Sequence, residues 1–383
     1  MKKKIKIIAF TGTRADYPRV QKVLEQINKD NNFELKIVVS GTHLLKSYGN
    51  TYKEIISDGF KIYKKIPIYD KNYDNLYGAT TAISNCASRF GRVLQNYKPD
   101  LVLITVDRIE TLGASIPASI MNFPILHIQG GEVTGTIDEN IRHAVTKLSH
   151  IHMVANEDAK KRVIKLGENK KYVFNVGCPY IDLIKSTKII NKKTLYKKLD
   201  LDLKKKTIIL IQHAVTTEYG LSKYQILKTI NSLKKLNNKQ FQIFSIFSNT
   251  DPGSKEIIKQ IKKVNFKITQ NISSQKFMSL MKYSEFIIGN SSCGIREAPS
   301  FKLPAINIGT RQNKRLRAPN VIDVDYNSQK INRAINYVLT NKKFRNKLKK
   351  IQNPYGDGNA SKKIVKLIKK LDLKKVINKV ITY

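Results

Sequence analysis

Short apolar runs recur along the chain, and each one ends in a polar loop that leads into a helical pattern. In the first half the runs cover residues 5–10, 34–40, 100–106, 124–129, 150–154 and 172–176, and in the second half 207–212, 241–247, 265–269, 285–289 and 304–308. Apolar runs that alternate with helical segments are typical of a parallel sheet with helices on both faces. We therefore predict an α/β protein of two Rossmann-like lobes that face each other across a cleft.

This alternation of strands and helices is interrupted by a lysine-rich stretch near the middle of the chain. A chain of 383 residues exceeds one typical domain, so we interpret the stretch as a connection between two domains. The predicted bounds are 1–182 for the N-terminal lobe, 183–206 for the connection, 207–360 for the C-terminal lobe and 361–383 for a helical tail.

The formal net charge of +41 at pH 7 would ordinarily indicate a nucleic acid or an anionic membrane as partner. Here lysine is spread along nearly every segment, and basic stripes with interleaved aromatic residues are absent from the sequence. We therefore expect no nucleic-acid partner. A positive surface would instead raise the encounter rate with a small anionic substrate.

The three cysteines, Cys86, Cys178 and Cys293, lie far apart and have no metal-ligand spacing, which favours a reduced, cytoplasmic protein. The first apolar run is short and is interrupted by Lys6, so it resembles neither a signal peptide nor a membrane span. We expect no membrane partner.

The first polar loop, TGTRADYP, precedes a helix that we expect to begin near Pro18, because proline is favoured in a first helical turn. Arg14 in this loop carries a guanidinium group, which binds phosphate through two parallel hydrogen bonds. The alternative is a solvated loop without a ligand.

An acidic motif follows the apolar run 100–106 and contains Asp107, Arg108 and Glu110. A carboxylate at the end of a buried strand should have a perturbed pKa, which is typical of functional sites. A salt-bridged helix start is the alternative, because aspartate is an ordinary helix cap.

The densest group of polar residues lies in 127–152, HIQGGEVTGTIDENIRHAVTKLSHIH, which holds four of the six histidines. Glu132 precedes a helix that should start at Asp138 and carry Arg142 and His143 four and five residues later. Carboxylate, guanidinium and imidazole on one face suit proton transfer at carbon. Zinc is the rival explanation, but the histidine spacing matches no standard zinc site, and we predict no metal.

The second half offers an anion site. Ser291 and Ser292 follow the run 285–289 and can cap a short helix, whose N-terminal end favours a phosphate or diphosphate. Glu297 lies further along, where a carboxylate accepts hydrogen bonds from ribose hydroxyls. His213 follows the first strand of this half and is placed to reach a diphosphate. An ordinary capped turn and a structural histidine remain the alternatives.

Several motifs along the chain, taken together, indicate one protein family. TGTRADY, DR-x-E, H-x-x-GGE with IDE-x-IRHA-x-TKLSH, H-x-VTTE, GNSS-x-GI-x-EAPSF and NIG-x-RQ occur in order over about residues 1–325. Together they closely resemble the hydrolysing UDP-N-acetylglucosamine 2-epimerases, and more narrowly the branch that feeds bacterial sialic-acid and legionaminic-acid synthesis. The string IRHAVTKLSH is far more specific than any single motif.

The resemblance implies a GT-B-like fold with the active site between two Rossmann-type lobes and the nucleotide on the C-terminal lobe. It implies removal of the C2 proton and expulsion of UDP to give a 2-acetamidoglucal, followed by hydration, with no cofactor. Asp107, Glu132 and Asp138 match acidic positions for proton transfer and hydration. The positions that match the UDP site are Arg14, His213, Ser291, Ser292 and Glu297, and His213 is also counted as catalytic.

We further expect Arg108, Arg142 and His143 to position the substrate. Ala214 stands where the family leads us to expect proline, and Gln129 occupies a variable position near the sugar. The expected substrate is UDP-N-acetylglucosamine, which would give N-acetylmannosamine for sialic-acid-type sugars. The alternatives are UDP-2,4-diacetamido-2,4,6-trideoxyglucose for legionaminic acid and a GT-B glycosyltransferase activity. A homo-oligomer is expected from the family only.

Overall fold

The computed structural model describes residues 3–70 and 73–382. The chain divides into two compact units. Unit 1 comprises Met1–Glu132, Ile137–Ser186 and Tyr355–Tyr383, and unit 2 comprises Val133–Thr136 and Thr187–Pro354. Within the described ranges, no helix is both long and apolar enough to cross a membrane.

Unit 1 is built on a seven-stranded parallel sheet in the order β3-β2-β1-β4-β5-β6-β7. Ile7 and Leu103 enter the hydrophobic core on one face, and Ile8 and Val102 enter the core on the other. This burial on both faces explains why the strands are nearly continuous apolar runs. The strands are β1 Ile5–Thr11, β2 Phe33–Ser40, β3 Ile62–Ile66, β4 Leu101–Thr105, β5 Ile125–Ile128, β6 Ile151–Val154 and β7 Val173–Asn175.

Unit 2 contains a six-stranded parallel sheet in the order β10-β9-β8-β11-β12-β13. Its core includes Ile208 and Leu210 of the central strand and Ile288 of its neighbour. The strands are β8 Lys206–Ile211, β9 Phe241–Ile246, β10 Lys267–Thr269, β11 Ser284–Gly289, β12 Ala305–Ile308 and β13 Val321–Val324.

Helices connect most of the parallel strands in both units, and the connection from β12 to β13 is a loop. Asn75 and Asn156 begin two of them, and each side chain accepts a hydrogen bond from a backbone N–H of the first turn. The α-helices are, in chain order, α1 Tyr17–Asn28, α2 Tyr52–Ser57, α3 Leu76–Tyr97, α4 Ile109–Ile120, α5 Ile137–Leu148, α6 Glu157–Lys165, α7 Pro179–Ser186, α8 Lys192–Lys198, α9 Ser222–Leu233, α10 Ser254–Ile261, α11 Ser274–Tyr283, α12 Cys293–Arg296, α13 Ser328–Thr340, α14 Lys342–Lys349 and α15 Ala360–Lys370.

The predicted α/β class with two Rossmann-like halves is confirmed. Each predicted strand coincides with an observed one, and two edge strands were not predicted. Strand β3 has the sequence IYKKI and is partly exposed, and β13 has the sequence VIDV and carries an exposed aspartate. Edge strands interrupt the apolar pattern with charge, which hides them from a search for buried strands. The predicted cleft between the halves stays a prediction.

The unit bounds differ from the lobe bounds that we predicted. Helix α7 continues to Ser186 in unit 1, and the longer of the two segments of unit 2 begins at Thr187. The tail belongs to unit 1, because Asp182 accepts hydrogen bonds from the backbone N–H groups of Ala360 (3.1 Å) and Ser361 (2.6 Å) at the start of α15. Long-range contacts of this kind leave no trace in the local sequence pattern.

Candidate functional site

Strands β4 and β5 place the acidic motifs of unit 1 side by side. The two strands are parallel neighbours, and Thr105 is in register with Ile128 at their carboxyl ends. The loops that follow carry Asp107 and Glu132, and α5 begins shortly after the second loop. Ligands of open parallel sheets bind at this edge.

Arg142 of α5 ties these two loops together. Its Nε lies 2.8 Å from Oδ2 of Asp107, its Nη2 donates to the same oxygen, and its Nη1 donates to the carbonyl oxygen of Glu132 at 2.6 Å. Arg142 is 1 % exposed. Burial opposes its charge, but attraction to Asp107 and Glu132 outweighs burial and raises the pKa of Arg142. The guanidinium is therefore a fixed positive charge beside both acidic loops.

A second arginine lies between two further carboxylates. Nη1 of Arg108 is 3.6 Å from Oδ1 of Asp138, and its Nε is 4.0 Å from Oε2 of Glu110. The other carboxylate oxygen of Glu110 accepts a hydrogen bond from the Tyr69 hydroxyl at 2.7 Å. Asp138 lies in the first turn of α5, as predicted, and its side chain is 15 % exposed.

His143 follows Arg142 on α5 and is half-buried. Its Nε2 lies 3.6 Å from Oε1 of Glu139, one turn earlier. Burial and repulsion by Arg142 lower the pKa of His143 below its ordinary value of 6.5. The imidazole is therefore largely neutral near pH 7.

The loop that carries Arg14 is shaped by Asp16. The Asp16 carboxylate accepts hydrogen bonds from the Thr11 hydroxyl (2.7 Å) and from the backbone N–H groups of Gly12 (2.9 Å) and Thr13 (3.0 Å). Complete burial raises the pKa of Asp16 to about 6 despite these donors. Asp16 fixes the loop backbone and leaves Arg14 partly exposed.

In unit 2, Asn290 fixes the backbone of His213. The Asn290 side chain accepts from the N–H of His213 at 2.7 Å and donates to its carbonyl oxygen at 2.9 Å. Nδ1 of His213 accepts from the backbone N–H of Asn249 at 3.0 Å. In a neutral ring this contact places the proton on Nε2, so Nε2 is a hydrogen-bond donor.

The segment predicted to cap a helix is a strand, a turn and a single helical turn. Strand β11 ends at Gly289, and α12 spans Cys293–Arg296. The capping prediction is wrong, because Ser292 at the start of α12 makes no side-chain cap hydrogen bond and Ser291 accepts from the Cys293 thiol at 3.1 Å. A helical turn this short does not require a side-chain cap, since most of its N–H groups are already used by the turn.

Glu297 directly follows α12 and is 2 % exposed. The loop 309–317 lies in the same unit, where Gln312 donates to the carbonyl oxygen of Asn290 at 3.0 Å and Arg311 lies 3.6 Å from Asp251. Asn290 and Gln312 are polar and buried, and sequence analysis did not single them out. Asn290 lies in the motif GNSS and Gln312 in the motif NIG-x-RQ, and these motifs were the sequence signal that could have identified the two residues.

The structure brings five predicted residues of unit 1 together: Asp107, Arg108, Glu132, Asp138 and Arg142. Arg14 and His143 also lie in unit 1. His213, Ser291, Ser292 and Glu297 all lie in unit 2, where the side chain of Asn290, which precedes Ser291, is bonded to the backbone of His213. Within 3–70 and 73–382, no group of three or more histidine, cysteine, aspartate and glutamate side chains is arranged to hold a metal ion.

Comparison with known proteins gives one family. The model of the family described as UDP-N-acetylglucosamine 2-epimerase matches residues 25–369. A relative in Legionella pneumophila, named UDP-N,N'-diacetylbacillosamine 2-epimerase (hydrolyzing), is 37 % identical over 99 % of both chains. A relative in Campylobacter jejuni, named GDP/UDP-N,N'-diacetylbacillosamine 2-epimerase (hydrolyzing), is 38 % identical over 85 % of both chains.

A solved structure shows the same fold. It is a UDP-GlcNAc 2-epimerase from Neisseria meningitidis bound to UDP-GlcNAc, with a TM-score of 0.81 and 24 % sequence identity. The match covers 96 % of this chain and 100 % of the other.

Proposed function

Because the chain belongs to the UDP-N-acetylglucosamine 2-epimerase family, and is thus a UDP-sugar 2-epimerase, we propose that it is a hydrolysing member. It would convert a UDP-2-acetamido sugar into UDP and the free 2-epimer. The observation that carries this proposal is the set of carboxylates and arginines at the ends of β4 and β5.

The proposed reaction has two stages. A carboxylate takes the C2 proton, the C–H electrons form the C1–C2 double bond, and the bond from C1 to the diphosphate oxygen breaks, so that UDP leaves with its electron pair. Water then adds across the double bond of the 2-acetamidoglucal: its oxygen bonds to C1, and a proton is delivered to C2 on the face opposite to the first removal. A carboxylate and a carboxylic acid are both needed.

Asp107, Glu132 and Asp138 are the proposed groups for these proton transfers. Asp107 and Asp138 have similar exposure, 16 % and 15 % of their side chains, and each lies beside a buried arginine. Arg142 and Arg108 hold the carboxylates in place and offset their mutual repulsion. His143, neutral near pH 7, is proposed to orient the sugar.

UDP departure needs stabilisation of the negative charge that develops on the diphosphate. His213 offers its Nε2–H as a donor, and Arg14 offers a guanidinium from a loop that Asp16 holds. We assign Ser291, Ser292 and Glu297 to the nucleotide, with Glu297 accepting from the ribose hydroxyls.

Two substrates are proposed. UDP-N-acetylglucosamine is the substrate expected from the family resemblance, whereas the names of the relatives at 37 % and 38 % identity favour UDP-2,4-diacetamido-2,4,6-trideoxyglucose, which is UDP-N,N'-diacetylbacillosamine. The two sugars share the 2-acetamido group on which the chemistry depends and differ at C4 and C6. We place the diacetamido sugar first because both names agree.

Incubation of each UDP-sugar in deuterated water, followed by proton NMR, tests the proposal. Free UDP and a free 2-epimer with deuterium at C2 are expected from one of the two substrates. A 2-epimer that remains linked to UDP would show a non-hydrolysing epimerase. Transfer of an unepimerised sugar to an acceptor would show a glycosyltransferase, and either result would overturn the hydrolytic proposal.

A further inference from the structure

Val106 has a backbone conformation that is unusual for its side chain. Its φ is +64°, in the left-handed region, and it is 5 % exposed. Within the described part of the chain, the other non-glycine residues with positive φ are asparagine, aspartate, glutamine and lysine. A β-branched residue in this region is strained, and such strain is found where surrounding structure enforces it. Val106 immediately precedes Asp107.

Two hydrogen bonds enforce the conformation of Val106. Its backbone N–H donates to the carbonyl oxygen of Ile128 at 3.0 Å. Its carbonyl oxygen lies 2.9 Å from Nε2 of His127, which is fully buried on β5. The peptide group between Val106 and Asp107 is thus fixed by the neighbouring strand.

The geometry around His127 defines its tautomer. A carbonyl oxygen only accepts, so Nε2 carries the proton, and Nδ1 then accepts from the Thr146 hydroxyl of α5, 3.3 Å away. Burial lowers the pKa of His127 to about 3, so the ring is neutral at physiological pH. Gly130 leaves space for this pair, since a Cβ atom there would lie 2.8 Å from His127 Nδ1 and 2.9 Å from Thr146 Oγ1.

We propose that His127, oriented by Thr146, is a positioning residue that holds the strained Val106–Asp107 peptide so that the Asp107 carboxylate meets Arg142. This proposal rests on the proposed function, in which Asp107 takes part in proton transfer. Thr146 lies one helical turn after Arg142, so α5 holds Asp107 from two sides: through its carboxylate and through the peptide before it.

Three substitutions separate positioning from other roles of His127. His127→Phe keeps an aromatic ring and removes the donor. His127→Gln keeps an N–H near the position of Nε2. Val106→Gly permits the same φ without strain, so the peptide no longer depends on His127.

We expect His127→Phe to lower kcat about 100-fold with KM nearly unchanged, because a small displacement of a reacting group has an effect of this size. His127→Gln should retain most of kcat. Val106→Gly alone should stay near the parent, and Val106→Gly combined with His127→Phe should recover at least about 10-fold in kcat over His127→Phe. Thermal unfolding of each variant tests whether it is folded at the assay temperature.

The recovery of kcat in the double variant tests the positioning role of His127. If Val106→Gly gives no recovery in folded His127→Phe protein, or if His127→Gln is as impaired as His127→Phe, the positioning role is overturned. If the parent enzyme turns over neither UDP-sugar, the proposed function fails separately. Unfolding midpoints then test the contact: the change in midpoint caused by Val106→Gly should be more favourable in the parent, where His127 enforces the strained φ, than in His127→Phe protein, where the peptide can relax. Equal changes in the two backgrounds would overturn the proposal.

Discussion

Asp107 is the carboxylate whose role is most directly open to test at the residue scale. Asp107→Asn keeps the shape of the side chain and its contact with Arg142 but removes the basic oxygen. We expect kcat to fall about 10²–10⁴-fold, the usual contribution of a general acid or base, while UDP affinity changes little. Turnover by NMR and UDP binding by calorimetry measure the two effects.

Asp325→Asn is the matched control, since Asp325 pairs with Lys330 on the exposed surface. It should leave kcat unchanged. Near-full activity in Asp107→Asn would contradict the assignment of Asp107 to proton transfer, and Glu132→Gln tests the neighbouring loop in the same way.

For Glu297 we expect a loss of UDP affinity and little change in kcat, the opposite of the expectation for Asp107. Glu297→Ala removes a buried carboxylate that we assign to the ribose, so it should weaken UDP binding about 10-fold or more, as expected for loss of hydrogen bonds to a charged group. kcat at saturating substrate should remain close to the parent value. A loss of kcat with unchanged UDP affinity would show that Glu297 serves the sugar chemistry instead.

Val106 shows the limit of sequence analysis at this scale. The sequence places Asp107 after a buried strand, and the structure confirms that location. The sequence does not reveal that Val106 adopts a left-handed conformation. The φ of Val106 is set by hydrogen bonds with His127 and Ile128, which are distant in sequence. The predicted Ser292 cap failed for the related reason that the helix is only one turn long.

At the scale of elements, the sequence predicted the strands whose apolar residues are buried on both faces. It missed β3 and β13, where lysine or aspartate breaks the pattern at a sheet edge. The attachment of α15 to unit 1 was equally hidden, because Asp182 and its partners at Ala360 and Ser361 are separated by 178 and 179 residues.

The attachment of α15 predicts a stability effect without a catalytic one. Asp182→Ala removes two buried hydrogen bonds at the start of α15, so the free energy of unfolding should fall by about 1–2 kcal/mol. kcat should not change in folded protein. Urea unfolding checks the first statement, with Asp372→Ala, on the exposed surface, as the control. Equal stability of the two variants would show that Asp182 does not anchor the helix.

At the scale of the whole molecule, the buried carboxylate of Glu168 joins distant parts of the chain. Glu168 lies 3.0 Å from His152 Nε2, 2.8 Å from Lys147 Nζ and 2.6 Å from Lys379 Nζ, so it joins β6, α5 and the C-terminal segment. Burial alone would raise the pKa of Glu168, but His152 and the two lysines outweigh burial and lower the pKa to about 2.

A carboxylate with a lowered pKa stabilises the folded state above its unfolded pKa, which is 4.5 for glutamate. The stabilisation is lost as pH falls from 4.5 towards 2, because the unfolded chain then takes up the proton first. Glu168→Gln should therefore be less stable than the parent at pH 7, and the difference should shrink as pH falls below 4.5. Urea unfolding at several pH values measures this difference. A difference in stability that stays constant from pH 7 to pH 3 would mean that Glu168 contributes through packing and not through its charge. The C-terminal segment would then be held by its other contacts, such as the hydrogen bond from the Thr382 N–H to the carbonyl oxygen of Gly167.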